Sequence, residues 1–457
     1  MQPKKISLFF LALLVVASID SIRNLPSAAL FGPQLIFFYL FAAVTFLFPT
    51  ALVSGEFSSS FPEKGGIYHW VRHVFNDRIG MLAVWFQWIN TITWYPTILS
   101  FIGGTFAALI DPSLATNKTF LITVILVVFW SLTFLNLFGI RVSGRINAIF
   151  ALIGTIIPMG LMIGLGFLWM AQGNPLQVTF SWNNIIPSMG NWNGWISLTG
   201  IMASLLGMEL SGVHVNDVVN PKRNYPRAIA WAVGIILITL IFGSLAIAIV
   251  IPQAQINLLD GVIIAFGNFL TAFDLGWSIP FLGALMILGS FGSMINWIIA
   301  PAKGLLQAAE HGFLSPYFAK PNRYGVAPHV LIGQALLVSL LCIVYYLFPT
   351  VNAFYWFLTD LSTELYMGMY ILLFLAAWRF RPQPGAFCLP GKLWGRRLIC
   401  SLGLTGCLAT LIVGYFPPAS VDVGSHTRYA LMIAIGNLAL LSPILLFWRY
   451  HARHRTR

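Results

Sequence analysis

Nine stretches of this chain run for 20 or more positions without an Asp, Glu, Lys or Arg: 24–55, 79–110, 119–140, 146–208, 228–259, 275–302, 324–359, 398–421 and 429–448. A helix of about 20 apolar residues crosses a bilayer, so this pattern confines the chain to a polytopic membrane fold. With 58% hydrophobic and 8% charged residues and a mean hydropathy of +0.84, too little polar surface exists to enclose a water-soluble core of this length.

Several of these runs must contain a boundary. Divided at Pro, Gly, Asn and charge clusters, they predict twelve spans, near 6–31, 34–58, 79–109, 119–138, 144–172, 192–218, 227–251, 276–308, 328–347, 351–379, 393–416 and 427–449. The first is too long for a cleavable signal peptide and has no small-residue cleavage site before a polar domain. With the N-terminus inside, 22 of the 25 Lys and Arg residues lie on the cytoplasmic side, two (Lys118 and Arg428) lie outside and Arg23 falls deep within a span. Basic residues favour the cytoplasmic side, so the split supports the count and puts both termini in the cytoplasm. The net charge of +12 then reflects topology, and no basic face interleaved with aromatics points to nucleic acid.

Cys342, Cys388, Cys400 and Cys407 form no CxxC pair or His/Cys cluster, so neither a metal site nor a disulfide framework is expected, and no motif calls for a cofactor. HExxH, GxSxG and DxD groupings are absent, which disfavours an integral-membrane enzyme. The eight residues after Arg449 and the short loops leave no block for a signalling domain, and no span shows the continuous polar stripe of a channel. Oligomeric state stays open, a homo-oligomer included.

Two interruptions organise the chain. Span one is broken at Asn24, Leu25, Pro26 and Ser27, and span six from Ser204 to Gly212, five spans later. Matching breaks in the first helix of each half point to an inverted-repeat transporter, in which broken helices meet at mid-membrane and turn backbone polar groups toward a substrate. Repeat one would be 1–172, repeat two 192–379, and 393–449 two appended helices. The competing reading is a kink at Pro26 and close helix packing at Gly207 and Gly212.

Five acids and one base fall within spans: Asp20, Arg23, Glu56, Glu209, Asp360 and Glu364. Each costs roughly 2.5–3.5 kcal/mol at a helix centre, so such residues face a cavity, a partner or a proton path. Glu56 can reach water from the cytoplasmic end of span two. Asp20 and Arg23, three apart, can pair across a turn. Arg23 also stands before the expected break, where its guanidinium and free N–H groups suit a substrate carboxylate. Asp360 and Glu364, four apart, share a face and oppose each other's ionisation, which suits a proton carrier. Asp20 and Glu209 are further proton candidates. Tyr366 and Tyr370 are candidate cavity walls, and Ser293 and Asn296 are the polar residues near the centre of span eight.

The segment from Glu209 to Asn216, followed by Asn220, Pro221, Tyr225 and Pro226, resembles the sixth helix and following loop of the glutamate/GABA antiporters, within the amino acid/polyamine/organocation superfamily. Glu56, Gly65, Gly66, Trp70, Val71, the Ile251–Pro252 pair with Ile256, Asn257 and Leu258, and Trp297, Pro301 and Gly304 extend it over nearly the whole chain; Tyr366 and Tyr370 fall on that family's tenth-helix tyrosine pair. The resemblance implies an all-α membrane protein of twelve helices, a LeuT-like 5+5 inverted repeat with helices 1 and 6 broken. It also implies amino acid exchange, with substrate held between helices 1, 6, 8 and 10, and, together with the compact loops and the lack of an organellar transit peptide, a bacterial inner membrane; proton- or sodium-coupled symport is the rival reading. The expected substrate-binding residues are Arg23, Asn24, Pro26, Ser27, Ser204, Gly207, Glu209, Ser293, Tyr366 and Tyr370. The chain departs from those antiporters in three places. Asp20 to Pro26 replaces an aromatic stretch, Ser293 stands where they place a glutamate, and the short tail lacks their C-terminal plug, so plug-type pH gating is not expected.

Overall fold

The computed structural model describes residues 7–61, 66–138, 149–150, 152–188, 190, 192–209 and 221–454. Every long element among them is a helix, as lipid requires of a chain that must satisfy its backbone internally. Helix α1 (Leu8–Ile19) is followed by a single tight turn (Ile22–Asn24), the short α2 (Leu25–Ala29) and α3 (Gln34–Ser60). Next come a short surface helix α4 (Ile67–Val74), the long α5 (Asp77–Ile110), α6 (Lys118–Leu137) and α7 (Leu152–Ala171). The second half holds α8 (Trp192–Ser204), α9 (Pro221–Val250), α10 (Gly261–Ala272), α11 (Ile279–Glu310), α12 (Pro328–Leu347), α13 (Val351–Arg379), α14 (Lys392–Val413) and α15 (His426–Arg453).

Nine of these are long and apolar enough to cross a bilayer, and each coincides with one of the twelve expected spans. The other three expectations fall on α1 with α2, on α8 and on α11. Helix α10 was not anticipated as an element: its twelve mostly apolar residues are too few to cross, and it packs over α2, α5 and α9 instead. Helix α9 begins six residues before the expected 227, because Pro221 is tolerated in a first turn whose N–H groups have no partner.

Two helices form the centre. In α5 and α13, 78% and 72% of the most apolar window is buried within the protein, against 11% in the span His426–Arg453. The central pair therefore packs on protein and the last span faces lipid. Asn76 starts α5 by accepting from the Ile79 N–H, and Thr350 starts α13 by accepting from the Ala353 N–H.

Span one is interrupted earlier than its sequence suggested. The helix stops at Ile19, Ser21 is extended (φ −145°, ψ 121°), and the chain re-enters a turn at Ile22. Pro26 falls in the first turn of α2, where its missing N–H costs nothing, so it starts a helix instead of ending one. Arg23 thus follows the break. The break in span six lies where expected: α8 ends at Ser204, and Gly207 takes φ +100°, a backbone conformation that favours glycine. The segment 210–220, including Ser211, Gly212, His214, Asn216 and Asn220, lies outside the described residues, as do Lys4, Lys5, Lys64, Gly65, Arg141, Arg145, Arg455 and Arg457.

Candidate substrate site

The two breaks face each other across α5 and α13. Between them lies a cavity of about 60 Å³ whose wall includes Asp20, Ser21, Arg23 and Asn24 from span one, Asn90 and Trp94 from α5, Ala203 and Leu206 from span six, Trp297 from α11 and Tyr366 from α13. A smaller space on the far side of Arg23 adds Ser27, Thr97, Gly200, Tyr355, Thr359 and Ser362. Gly200 is needed for this closeness: a Cβ there would sit 3.1 Å from the ring of Trp356.

Arg23 is 6% exposed and reaches across the cavity. One terminal nitrogen donates to the Thr97 hydroxyl at 3.0 Å and to the Tyr355 hydroxyl at 3.4 Å, and the guanidinium carbon lies 5.0 Å from the centre of the Trp94 ring. Its Nε has no partner among the described residues. A cation–π contact and two neutral acceptors leave the charge uncompensated. Asp20, also 6% exposed, accepts from Thr239 at 2.6 Å through Oδ2, while its Oδ1 has no partner. The expected Asp20–Arg23 pair is not formed among the described residues. The extended backbone at Ser21 interrupts the helical turn that would have set the two side chains on one face.

Two N–H groups near the break are engaged. Those of Asn24 and Leu25 bond to the carbonyls of Ser21 and Ile22. The expected anion-binding helix end after Asn24 thus has two of its donors engaged, and the Arg23 guanidinium lines the cavity as a further donor. Asn24 and Ser27 do line the cavity, whereas Pro26 packs toward Gly261 at the start of α10.

Glu209 is placed behind the cavity wall. Tyr366 and Gln87 donate to its Oε1 and Tyr370 to its Oε2, the Gln87 contact being 3.3 Å. The Tyr370 oxygen in turn accepts from the Gly207 N–H at 3.0 Å, so the broken end of span six is tied to α13 through one hydroxyl. Ser204 faces Tyr39 of α3 at 3.3 Å and does not line the cavity. Glu209, Gly207 and Ser204 hold the break in place, and of the two tyrosines Tyr366 is the one on the cavity surface.

Asp360 and Glu364 lie on a different face of α13. Tyr429 donates to Asp360 and Asn437 to Glu364, both from the span His426–Arg453. Neither acid lines the cavity described above. Glu56 does not reach water: it is fully buried and held by Arg396 at 2.7 and 2.8 Å and by the Leu389 N–H at 2.8 Å. The side chains of Ser293 and Asn296 lie outside the described residues.

Sequence reasoning missed most of the neutral wall. Asn90, Trp94 and Thr97 follow one another at the three- and four-residue spacing of a single helix face, and so do Tyr355, Thr359, Ser362 and Tyr366 on α13. The second row is a polar stripe on a span, contrary to expectation. It ends in a cavity, with the Ser362 hydroxyl bonded to Asn90 at 2.5 Å. Beyond the end of α2, a wider hollow of about 400 Å³ is lined by Gln34, Gln177, Thr179, Asn184, Asn193 and Gln253 and by no charged side chain.

A model of the amino acid permease family matches residues 6–437. The chain belongs to that family. An uncharacterized transporter of Legionella pneumophila is 37% identical over 99% of this chain and 97% of its own length. A glutamate/gamma-aminobutyrate antiporter of Lactococcus lactis is 26% identical over 95% of this chain and 88% of its own. A probable agmatine/putrescine antiporter of the same species is 24% identical over 83% and 80%. The superfamily membership and the likeness to the glutamate/GABA antiporters expected from span six are therefore found over nearly the full length. Residues 6–437 include both breaks, so the cavity lies inside the family's common region.

Proposed function

We propose that this protein is an amino acid exchanger that works by alternating access at the cavity between its two broken helices. The observation that carries the reading is a buried acid and a buried base, Asp20 and Arg23, which line one cavity and do not pair with each other. An isolated charge in a membrane interior is costly, and a zwitterion neutralises both at once. The substrate α-carboxylate docks on Arg23. The α-amino group docks on Asp20 and on backbone carbonyls where Ala203 and Leu206 flank the break in span six. Asn24, Ser27 and Tyr366 complete the contact, and Tyr370 with Glu209 holds the broken helix against α13.

The twelve-span, LeuT-like inverted repeat places these breaks at equivalent points of the two halves. Both termini lie in the cytoplasm and the protein resides in the plasma membrane, which the distribution of basic residues supports. Exchange is favoured because relatives with antiporter names cover most of the chain. The test is counterflow in proteoliposomes: labelled amino acid should accumulate only when the lumen holds an exchangeable amino acid.

A second reading, proton-driven symport, draws on Asp360 and Glu364, whose described partners Tyr429 and Asn437 are neutral. Asp20 and Glu209 are the proton candidates nearer the substrate. Uptake into empty vesicles driven by an inward proton gradient would replace exchange by this reading.

A further inference from the structure

We infer that the site takes a small α-amino acid with an uncharged side chain, and that acidic and basic amino acids are rejected. This rests on the reading of the cavity as the amino acid site and goes further by fixing the side-chain class.

Charge accounting carries the first part. The two termini of a zwitterion use up Asp20 and Arg23. The remaining described wall, including Trp94, Thr97, Ala203, Leu206, Tyr355 and Ser362, is neutral. A second carboxylate, as in glutamate, finds no second cation among the described wall residues. A second ammonium, as in lysine, finds Glu209 already accepting from Tyr366, Tyr370 and Gln87 and closed off by Tyr366. An uncompensated charge there is opposed by the same desolvation that makes Arg23 need a partner.

Size carries the second part. A cavity of about 60 Å³ holds only a handful of waters, at about 10–15 Å³ each. That suits glycine, alanine or serine in this form, and two indoles, Trp94 and Trp297 with ring centres 5.1 Å apart, wall off the direction of α11. The outer hollow agrees with the charge part: its described lining of amides, hydroxyls and apolar groups has no charged side chain to concentrate anionic or cationic amino acids.

The test uses the purified full-length protein in liposomes. Vesicles are preloaded separately with alanine, serine, glycine, glutamate or lysine, and each label is followed in self-exchange and in competition against labelled alanine. The expected result is exchange of the small neutral amino acids, with glutamate and lysine at least about ten-fold weaker as competitors. Exchange of glutamate or lysine as strong as that of alanine overturns this inference while leaving the transport reading intact. Failure of all five to exchange, with glutamine, leucine and arginine also inert, overturns the transport reading and this inference with it.

Discussion

Two buried arginines of this protein meet opposite fates. Arg396 lies at the C-terminal end of α3, clamped by both oxygens of Glu56 and donating also to the Ala377 carbonyl at 2.9 Å. Arg23, equally buried, has two neutral oxygens, an indole face and an idle Nε, although Asp20 stands three residues away in the same cavity wall. Both side chains bear the cost of leaving water. At Arg396 the cost is offset within the protein, and the charge becomes architecture joining α3, α13 and α14. At Arg23 the protein leaves it open, which makes sense where the missing counter-charge arrives and departs with a substrate.

The comparison can be broken most forcefully at the paired site. Arg396→Met should destabilise the protein by about 3–5 kcal/mol, read as a lower melting temperature in detergent, because it strands a fully buried Glu56. Replacing Glu56 by Gln in the same chain should restore most of that loss; if the single substitution is silent, the pair is ornamental. At the open site the opposite pattern is expected. Asp20→Asn removes a charge without an ionic partner, so the empty protein should melt no lower than wild type while exchange falls about ten-fold, near 1.4 kcal/mol of binding. A drop in melting temperature as large as that of Arg396→Met would erase the distinction.

A third buried acid is an intermediate case. Asp260 lies in the loop before α10, outside the spans, with Oδ1 unpartnered, and burial pushes its carboxyl up from 3.8 to about 6. The folded state thus holds the proton more tightly than the unfolded chain. The Asp260 contribution to stability should decline as pH rises from about 3.8 through about 6 and level off above, and Asp260→Asn should flatten that part of the profile. An unchanged profile would mean that water reaches the carboxylate.

Much of this was legible in the sequence because lipid leaves so few options. Uncharged runs located the long helices, and Gly207 beside Glu209 marked the break in span six. Two kinds of information were not local. Pro26 reads as a breaker by itself, but the break is set by Asp20 and Ser21, and no single-residue preference separates a proline that ends a helix from one that begins the next. Partners distant in sequence were equally hidden. Glu56 was expected to reach water because Arg396 lies 340 positions away. Asp360 and Glu364 share a face, but only packing shows that the face meets Tyr429 and Asn437 and not the cavity. The neutral wall was accessible in principle, since Asn90, Trp94 and Thr97 keep helical spacing, but polar residues at that spacing also serve as packing contacts between helices.

The most direct test of the account is the equilibrium affinity of purified wild-type and Arg23→Gln protein for labelled alanine, with circular dichroism and melting temperature recorded alongside. The account predicts a loss of about 2–3 kcal/mol, on the order of a hundred-fold in affinity, with the fold and melting temperature preserved. Alanine binding by Arg23→Gln as tight as by wild type would contradict it.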